Sequence, residues 1–232
     1  MEILSVKLQF NELQLPPFVK VTGIEEALLP TFDDESYRSI KVNFSIRRYR
    51  MLSIEQIKEF STWLRGNNFE YSKLVIPGRQ GSYYMAIVNN SVEITDGLRS
   101  GNGTIEFKCL ANRIENAINT VTFTTEQTID YSGTISTYPT ITLDITQECE
   151  EIKLLFSNEK STNYIKLVGH FNTGHQIIID CKKKKITVNG ELKMQILTLD
   201  SYFHQLELGN NLYTLINGNC NVSIQWKNEF LS

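Results

Sequence analysis

The chain has 232 residues, 41% of them apolar and 21% charged, with a formal charge of −3. That balance belongs to a folded protein and excludes a disordered one, and the slight acidity excludes the basic footprint of a nucleic-acid binder. No apolar run nears the ~20 residues of a membrane helix, and the opening MEILSVKLQF, with Glu2 and no long apolar stretch, does not read as a secretory signal.

The length allows one large β domain or two of ordinary size. Near the start, Val6, Leu8 and Phe10 alternate with polar residues, as in a half-buried strand. Leu15-Pro16-Pro17 and the acidic run Asp33-Asp34-Glu35-Ser36 read as loop. Ile40, Val42, Phe44 and Ile46 then alternate with Lys41, Asn43, Ser45 and Arg47, which predicts a strand with one wet face. One helix is predicted, over about 53–65. Ser53 and Gln56 form a capping box, Ile57, Phe60 and Leu64 recur at helical spacing beside Trp63, and Gly66 supplies a left-handed stop. Such a stripe must lie on a sheet. Leu74–Ile76 and Tyr83–Val88 predict strands. Val92 and Ile94 follow, then a turn holding Gly97, Gly101 and Gly103, then a strand through Ile105, Phe107 and Cys109.

Ala111 to Asn119 is ambiguous, and beyond it the character changes. Val121 with Phe123, Ile141 with Leu143 and Ile145, Ile177–Ile179, Ile186 with Val188, Leu212–Ile216, and Val222 with Ile224 and Trp226 predict strands separated by turn residues. That spacing suits a sandwich or barrel and calls for no helix. The expected fold is mainly β: an α+β domain with one helix over 1–114 and a β-sandwich over 115–232.

No pattern of catalytic residues emerges. His170 and His175 lack further ligands at metal spacing and are expected to flank a turn at Gly174; His204 stands alone. The acidic run lacks the alternation of a calcium loop. Gly97, Gly101 and Gly103 lack the Lys and the helix of a phosphate loop. Lys182–Lys185 fit a hairpin end or a charged edge. The four cysteines, Cys109, Cys149, Cys181 and Cys220, form no CxxC pair and read as buried thiols of a protein made in a cytoplasm. On that reading the sequons at Asn43, Asn90, Asn102 and Asn221 carry no weight. Glu126, Asp130, Glu148, Glu150 and Glu151 give no sign of the paired carboxylates of a glycosidase. Tyr138, Tyr164 and Tyr202 are candidate sugar-stacking residues, although strand tyrosines commonly serve packing. The expectation is therefore no enzyme, no cofactor and no metal, with catalytic, cofactor-binding and metal residues all none.

In order along the chain stand RSIKVNFSI, the helix IEQIKEFSTWL with its Trp63-Leu64 end, YYMAIV, and TIEFKC after a Gly-rich turn. Then come Gly133 six residues before Pro139, IIID ending at Asp180, ITVNG from Ile186 to Gly190, Leu208-Gly209-Asn210, and VSIQW followed by Phe230-Leu231. Over nearly all 232 residues this series resembles the distal tail (Dit) proteins of long-tailed phages of Gram-positive hosts. The resemblance implies a virion structural protein, made in the bacterial host cytoplasm and located at the tail tip or baseplate. Its N-terminal β-rich domain would assemble into a homo-hexameric ring, and its C-terminal domain would be a galectin-like β-sandwich outside that ring. The implied partners are the tail tube protein, the hub, tail fibre or tail lysin protein, and receptor-binding or baseplate proteins. The ring would leave a channel for DNA ejection without specific nucleic-acid binding, and no membrane partner is implied. Two departures stand out: there is no room for the large inserted carbohydrate-binding module of some members, and the N-terminus is short. The alternative is a carbohydrate-binding module for host cell-wall glycans.

Overall fold

The structure, a computed structural model, describes residues 7–26, 37–47, 52–79, 81–92 and 100–231. Val6, Asp33–Ser36, Ile94 and Gly97 fall outside them. The chain forms two compact units, Met1–Asn116 with Leu231–Ser232, and Ala117–Phe230. Both are built mainly of β-strands.

In the first unit the strands are β1 (Gln9–Phe10), β2 (Leu13–Gln14), β3 (Val19–Glu26), β4 (Tyr37–Arg47), β5 (Ser72–Val75), β6 (Ser82–Val88) and β7 (Ser100–Glu115), with helix α1 (Ile54–Arg65) between β4 and β5. They lie in the order β2-β1-β5-β6-β7-β4-β3, and each neighbouring pair is antiparallel. The alternation in β4 is realised: Ile40, Val42, Phe44 and Ile46 are buried while Lys41 faces water. Across the ladder, Ile40 meets Phe107 and Val42 meets Ile105.

Gly101 and Gly103 do not sit in a turn. They pair with Ile46 and Phe44 inside β7, because the ladder follows the whole length of β4. The first strand is also shorter than expected. Leu8 and Phe10 are buried, but Asn11 and Glu12 take positive φ (50° and 63°) and reverse the chain at once into β2. β7 runs on to Glu115, so the ambiguous stretch after Leu110 begins as strand.

Helix α1 has the predicted capping box. Gln56 N–H donates to Ser53 Oγ (3.3 Å), and Ser53 N–H donates to Gln56 Oε1 (3.0 Å). The buried face is narrower than the spacing suggests. Phe60 and Trp63 are buried and Leu64 packs on the core, but Ile57 is 52% exposed. Trp63 stands edge-on to Phe10 and Phe107 and donates its indole N–H to Leu13 O (3.0 Å). These aromatics fix the helix rotation, and Ile57 falls outside their arc. Gly66 ends the helix at φ 57°, ψ −132°, which is not the left-handed pocket. A Cβ there would lie 2.7 Å from the Phe10 ring, so close packing excludes a side chain as well.

The second unit is a two-sheet sandwich. Its strands are β8 (Asn119–Phe123), β9 (Glu126–Tyr131), β10 (Thr140–Ile145), β11 (Cys149–Ser157), β12 (Thr162–Phe171), β13 (Gln176–Asp180), β14 (Lys185–Val188), β15 (Glu191–Leu192), β16 (Gly209–Asn217) and β17 (Cys220–Trp226). One antiparallel sheet runs β15-β14-β13-β10-β17-β8 and the other β12-β11-β16-β9. Inward residues of both form one core, with Ile141, Leu143, Ile177, Ile179, Val222 and Ile224 from the first sheet and Ile152, Leu154, Ile165 and Tyr213 from the second. Full burial of each such aliphatic side chain stabilises by about 1.5–3 kcal/mol. A 3₁₀ turn at Met194–Ile196 is the only helical element described in this unit.

Near the start of the sandwich, Tyr131 Oη donates to Ile135 O (2.8 Å) and accepts from Glu229 N–H (3.0 Å). Gly133 is required there. A Cβ would press on the Tyr131 hydroxyl and lie 2.7 Å from Glu229 O.

Candidate functional site

The second unit carries a cleft of about 240 Å³. Three pieces of chain build it. The turn from β11 to β12 supplies Asn158, Lys160 and Ser161, with Asn163 from the start of β12; the segment after the 3₁₀ turn supplies Tyr202 to Gln205 and Glu207; and Tyr138 comes from the approach to β10. Phe156 of β11 also lines it.

Local hydrogen bonds hold each piece. Asn158 Oδ1 accepts from the backbone N–H of Lys160 and Ser161, both at 2.9 Å, and so shapes the turn. Lys160 Nζ then reaches Glu207 Oε2 at 2.9 Å. Thr137 and Leu206 exchange both backbone hydrogen bonds (3.1 and 2.7 Å), which ties Tyr138 to the opposite wall. Asn211 fixes Glu207 from behind: its Oδ1 accepts from Glu207 N–H and its Nδ2 donates to Glu207 O.

Under the cleft lies a buried neutral polar pair. His204 Nε2 is hydrogen-bonded to Tyr213 Oη, and the imidazole stacks on Phe156 with ring centroids 3.5 Å apart. Burial pushes the His204 pKa down to about 3 and the Tyr213 pKa well up, so both are uncharged at neutral pH. With Lys160 and Glu207 neutralising each other, the cleft carries no net charge.

The residues singled out in the sequence are distributed as follows. Tyr138 (37% exposed) and Tyr202 (58% exposed) meet at the cleft, but Tyr164 does not. Tyr164 hydrogen-bonds Asp200 and carries Lys153 Nζ 4.2 Å from its ring centre. His170 ends up in β12 beside Glu148 (3.2 Å), and His175 Nδ1 accepts from Asn172 N–H in the turn holding Gly174. Lys182–Lys184 form the hairpin end between β13 and β14, and Lys185 opens β14. Glu151 pairs with Lys166 at 2.8 Å, while Glu207 is the sole carboxylate among the cleft residues. All four cysteines are free thiols. Burial pushes Cys109, Cys181 and Cys220 up to about 12, whereas Cys149 is only half-buried. No group of three metal-ligating side chains occurs among the described residues.

Sequence reasoning missed His204, Phe156, Asn163, Lys160 and Glu207. The available signal was a histidine set in a run of aromatic and polar residues, Tyr202-Phe203-His204-Gln205, between two strands.

The first unit offers a different surface. An apolar groove of about 400 Å³ is lined by Leu8, Leu15, Pro16, Pro17, Val19 and Val21, among others, along β3 at the end of the sheet path. Beneath the same sheet lies a charge network. Glu26 accepts from Arg38 (2.7 Å), Arg79 (2.6 Å) and Tyr84 Oη (2.7 Å). Burial opposes ionisation of Glu26, yet the Tyr84 and Arg38 hydrogen bonds and the Arg79 charge outweigh it and hold the carboxyl below its ordinary range.

The fold is shared with a known phage protein. SPP1 Dit (gp 19.1), whose structure is described as a paradigm of the hub adsorption apparatus in phages infecting Gram-positive bacteria, superposes with a TM-score of 0.73 at 15% identity. The alignment covers 97% of this chain and 99% of that one. Chains of the phage p2 baseplate in its activated conformation, with Ca and with Sr, align over 97% of this chain and 92% of theirs. They do so at 10% and 11% identity with TM-scores of 0.44 and 0.45, too loose a likeness for inference. No curated protein matches the sequence significantly. Residues 132–230 match the SPP1 Dit family model, described as the C-terminal domain of the siphovirus-type tail component. Over these residues the C-terminal unit is similar to the siphovirus-type tail component family.

Proposed function

We infer that the protein is a distal tail subunit of a long-tailed phage. It is a structural component of the tail tip or baseplate, assembling as a hexameric ring that joins the tail tube to the hub and leaves a channel for DNA. One observation carries the reading: the two-unit fold follows SPP1 Dit over nearly the whole of both chains. The family match over 132–230 supports it. The first unit has what a head-to-tail ring needs, a sheet ending in β3 beside an apolar groove. A ring requires two unlike surfaces that close on each other, and strand addition at a sheet edge is one way to supply one of them. In this reading the second unit is the outer, galectin-like domain. The partners are the tube protein, the hub or tail lysin, and the receptor-binding or baseplate proteins, and the site of action is the virion.

The test is oligomeric state and symmetry. Light scattering of the purified chain gives a hexamer mass, and negative-stain images show rings with a central opening. A chain that stays monomeric both alone and mixed with its tail tube protein overturns the reading. Slight net acidity also suits a lumen through which DNA slides. Gel shifts with duplex DNA are expected to show no retardation, and tight, salt-sensitive binding would sink this part.

A further inference from the structure

We propose that the cleft of the second unit is a binding site for one ring of a neutral saccharide, a function separate from any scaffold role. Three observations carry it.

The first is where the aromatics lie. Tyr131, Tyr213, Phe156 and Phe171 are buried in the sandwich, yet Tyr138 and Tyr202 stand exposed at the cleft. An exposed tyrosine presents an apolar face with a polar tip, which suits the C–H face and hydroxyl rim of a pyranose.

The second is the set of polar groups left over after the walls are tied together. Asn158 is spent on its turn and Lys160 on Glu207. Gln205 Oε1 accepts from Ser136 at 3.2 Å, which leaves its Nε2 uncommitted. The Asn163 carboxamide and the Ser161 hydroxyl make no side-chain hydrogen bond among the described residues, and Glu207 keeps Oε1. Two planar amides, a hydroxyl and a carboxylate oxygen can both donate and accept, as vicinal sugar hydroxyls require.

The third is charge and size. The Lys160–Glu207 pair and the neutral His204 leave no net charge to hold a phosphate or sulfate. The volume, about 240 Å³, is below the ~300–1,000 Å³ of a drug-sized pocket and admits one ring with its neighbours outside. The walls are already held by hydrogen bonds, so little ordering cost opposes binding.

The test uses the full chain and saturation-transfer NMR with the methyl glycosides of glucose, galactose and N-acetylglucosamine. At least one is expected to receive saturation on its ring C–H protons. Tyr202→Ala and Asn163→Ala, both at accessible positions, are expected to weaken its affinity by about tenfold or more, as for an anchoring contact. Lys183→Ala on the distant hairpin leaves it unchanged. Circular dichroism establishes that each variant is folded. Absence of transfer to all three glycosides overturns the proposal, as does transfer that Tyr202→Ala leaves intact. Hexamer formation is measured separately, so failure here and failure of the distal-tail reading are distinguishable.

Discussion

The two units bury polar groups in opposite ways. The first buries a charged pair, Glu26 with Arg38, and the more exposed Arg79 and the Tyr84 hydroxyl are the second and third partners of Glu26. The second buries a neutral pair, His204 with Tyr213, against its apolar core. A buried ion pair is held by its partners and fails when one is removed. A buried neutral histidine is held by its lack of charge and fails when pH supplies a proton. The difference teaches that the units should respond to different insults. Trp63 in the first and Trp226 in the second are the only tryptophans, so each unit has its own fluorescent reporter.

The largest effect is expected from Trp63→Ala. It removes the hub of the aromatic cluster and the hydrogen bond to Leu13, costing about 3–5 kcal/mol. Urea unfolding followed at Trp226 is expected to be far less affected than the loss seen by hydrogen exchange in β4 and β7. Arg38→Met follows at about 3 kcal/mol, because it strands Glu26 with only Arg79 and Tyr84. A loss below 1 kcal/mol in urea melts would show that the network tolerates the vacancy, and the contrast between the units would fail.

The pH response comes next. His204 has a folded pKa of about 3, below its unfolded value of about 6.5. The unfolded chain therefore takes up the proton first. Stability from this group is complete above pH 6.5 and falls as pH drops from there toward 3, by about 2 kcal/mol at pH 5. Glu26 has a folded pKa below its ordinary value, so its contribution persists through pH 5 and is lost only as pH falls below the ordinary carboxylate range. Between pH 7 and 5 the second unit should weaken and the first should not. Urea midpoints of Trp63→Phe and Trp226→Phe, each reporting one unit, check this, and parallel decline of both would break the comparison. The smallest effect is Ile57→Ser. Since Ile57 is half-exposed, the change should stay within about 0.5 kcal/mol in the same melts.

Legibility also divides along the chain. β4 and β10 were readable because each is an unbroken alternation with one buried face, and α1 because Ser53 and Gln56 cap it through local bonds. β3 was not readable. A register shift between Val21 and Gly23 puts Ile24 out of phase with Val19 and Val21, so no period of two survives. β11 was obscured by Leu155, which turns the alternation of Ile152, Leu154 and Phe156 into an apolar run. The cleft was only half visible. Two of its tyrosines could be named, but the turn residues Asn158 to Asn163 that share the cleft lie tens of positions from both along the chain.

The sequence by itself determined the mainly β fold, the capped helix over about 53–65 and the family resemblance. These rest on nearest-neighbour chemistry, alternation and capping, which short stretches of chain encode. Only the tertiary structure decided that Ile57 faces water, that Gly101 and Gly103 lie in a strand, and that His204 is buried against Tyr213. It also decided that Tyr138 and Tyr202 meet across one cleft. Each depends on which distant strands become neighbours, and that is set by burial of the whole core rather than by any local pattern.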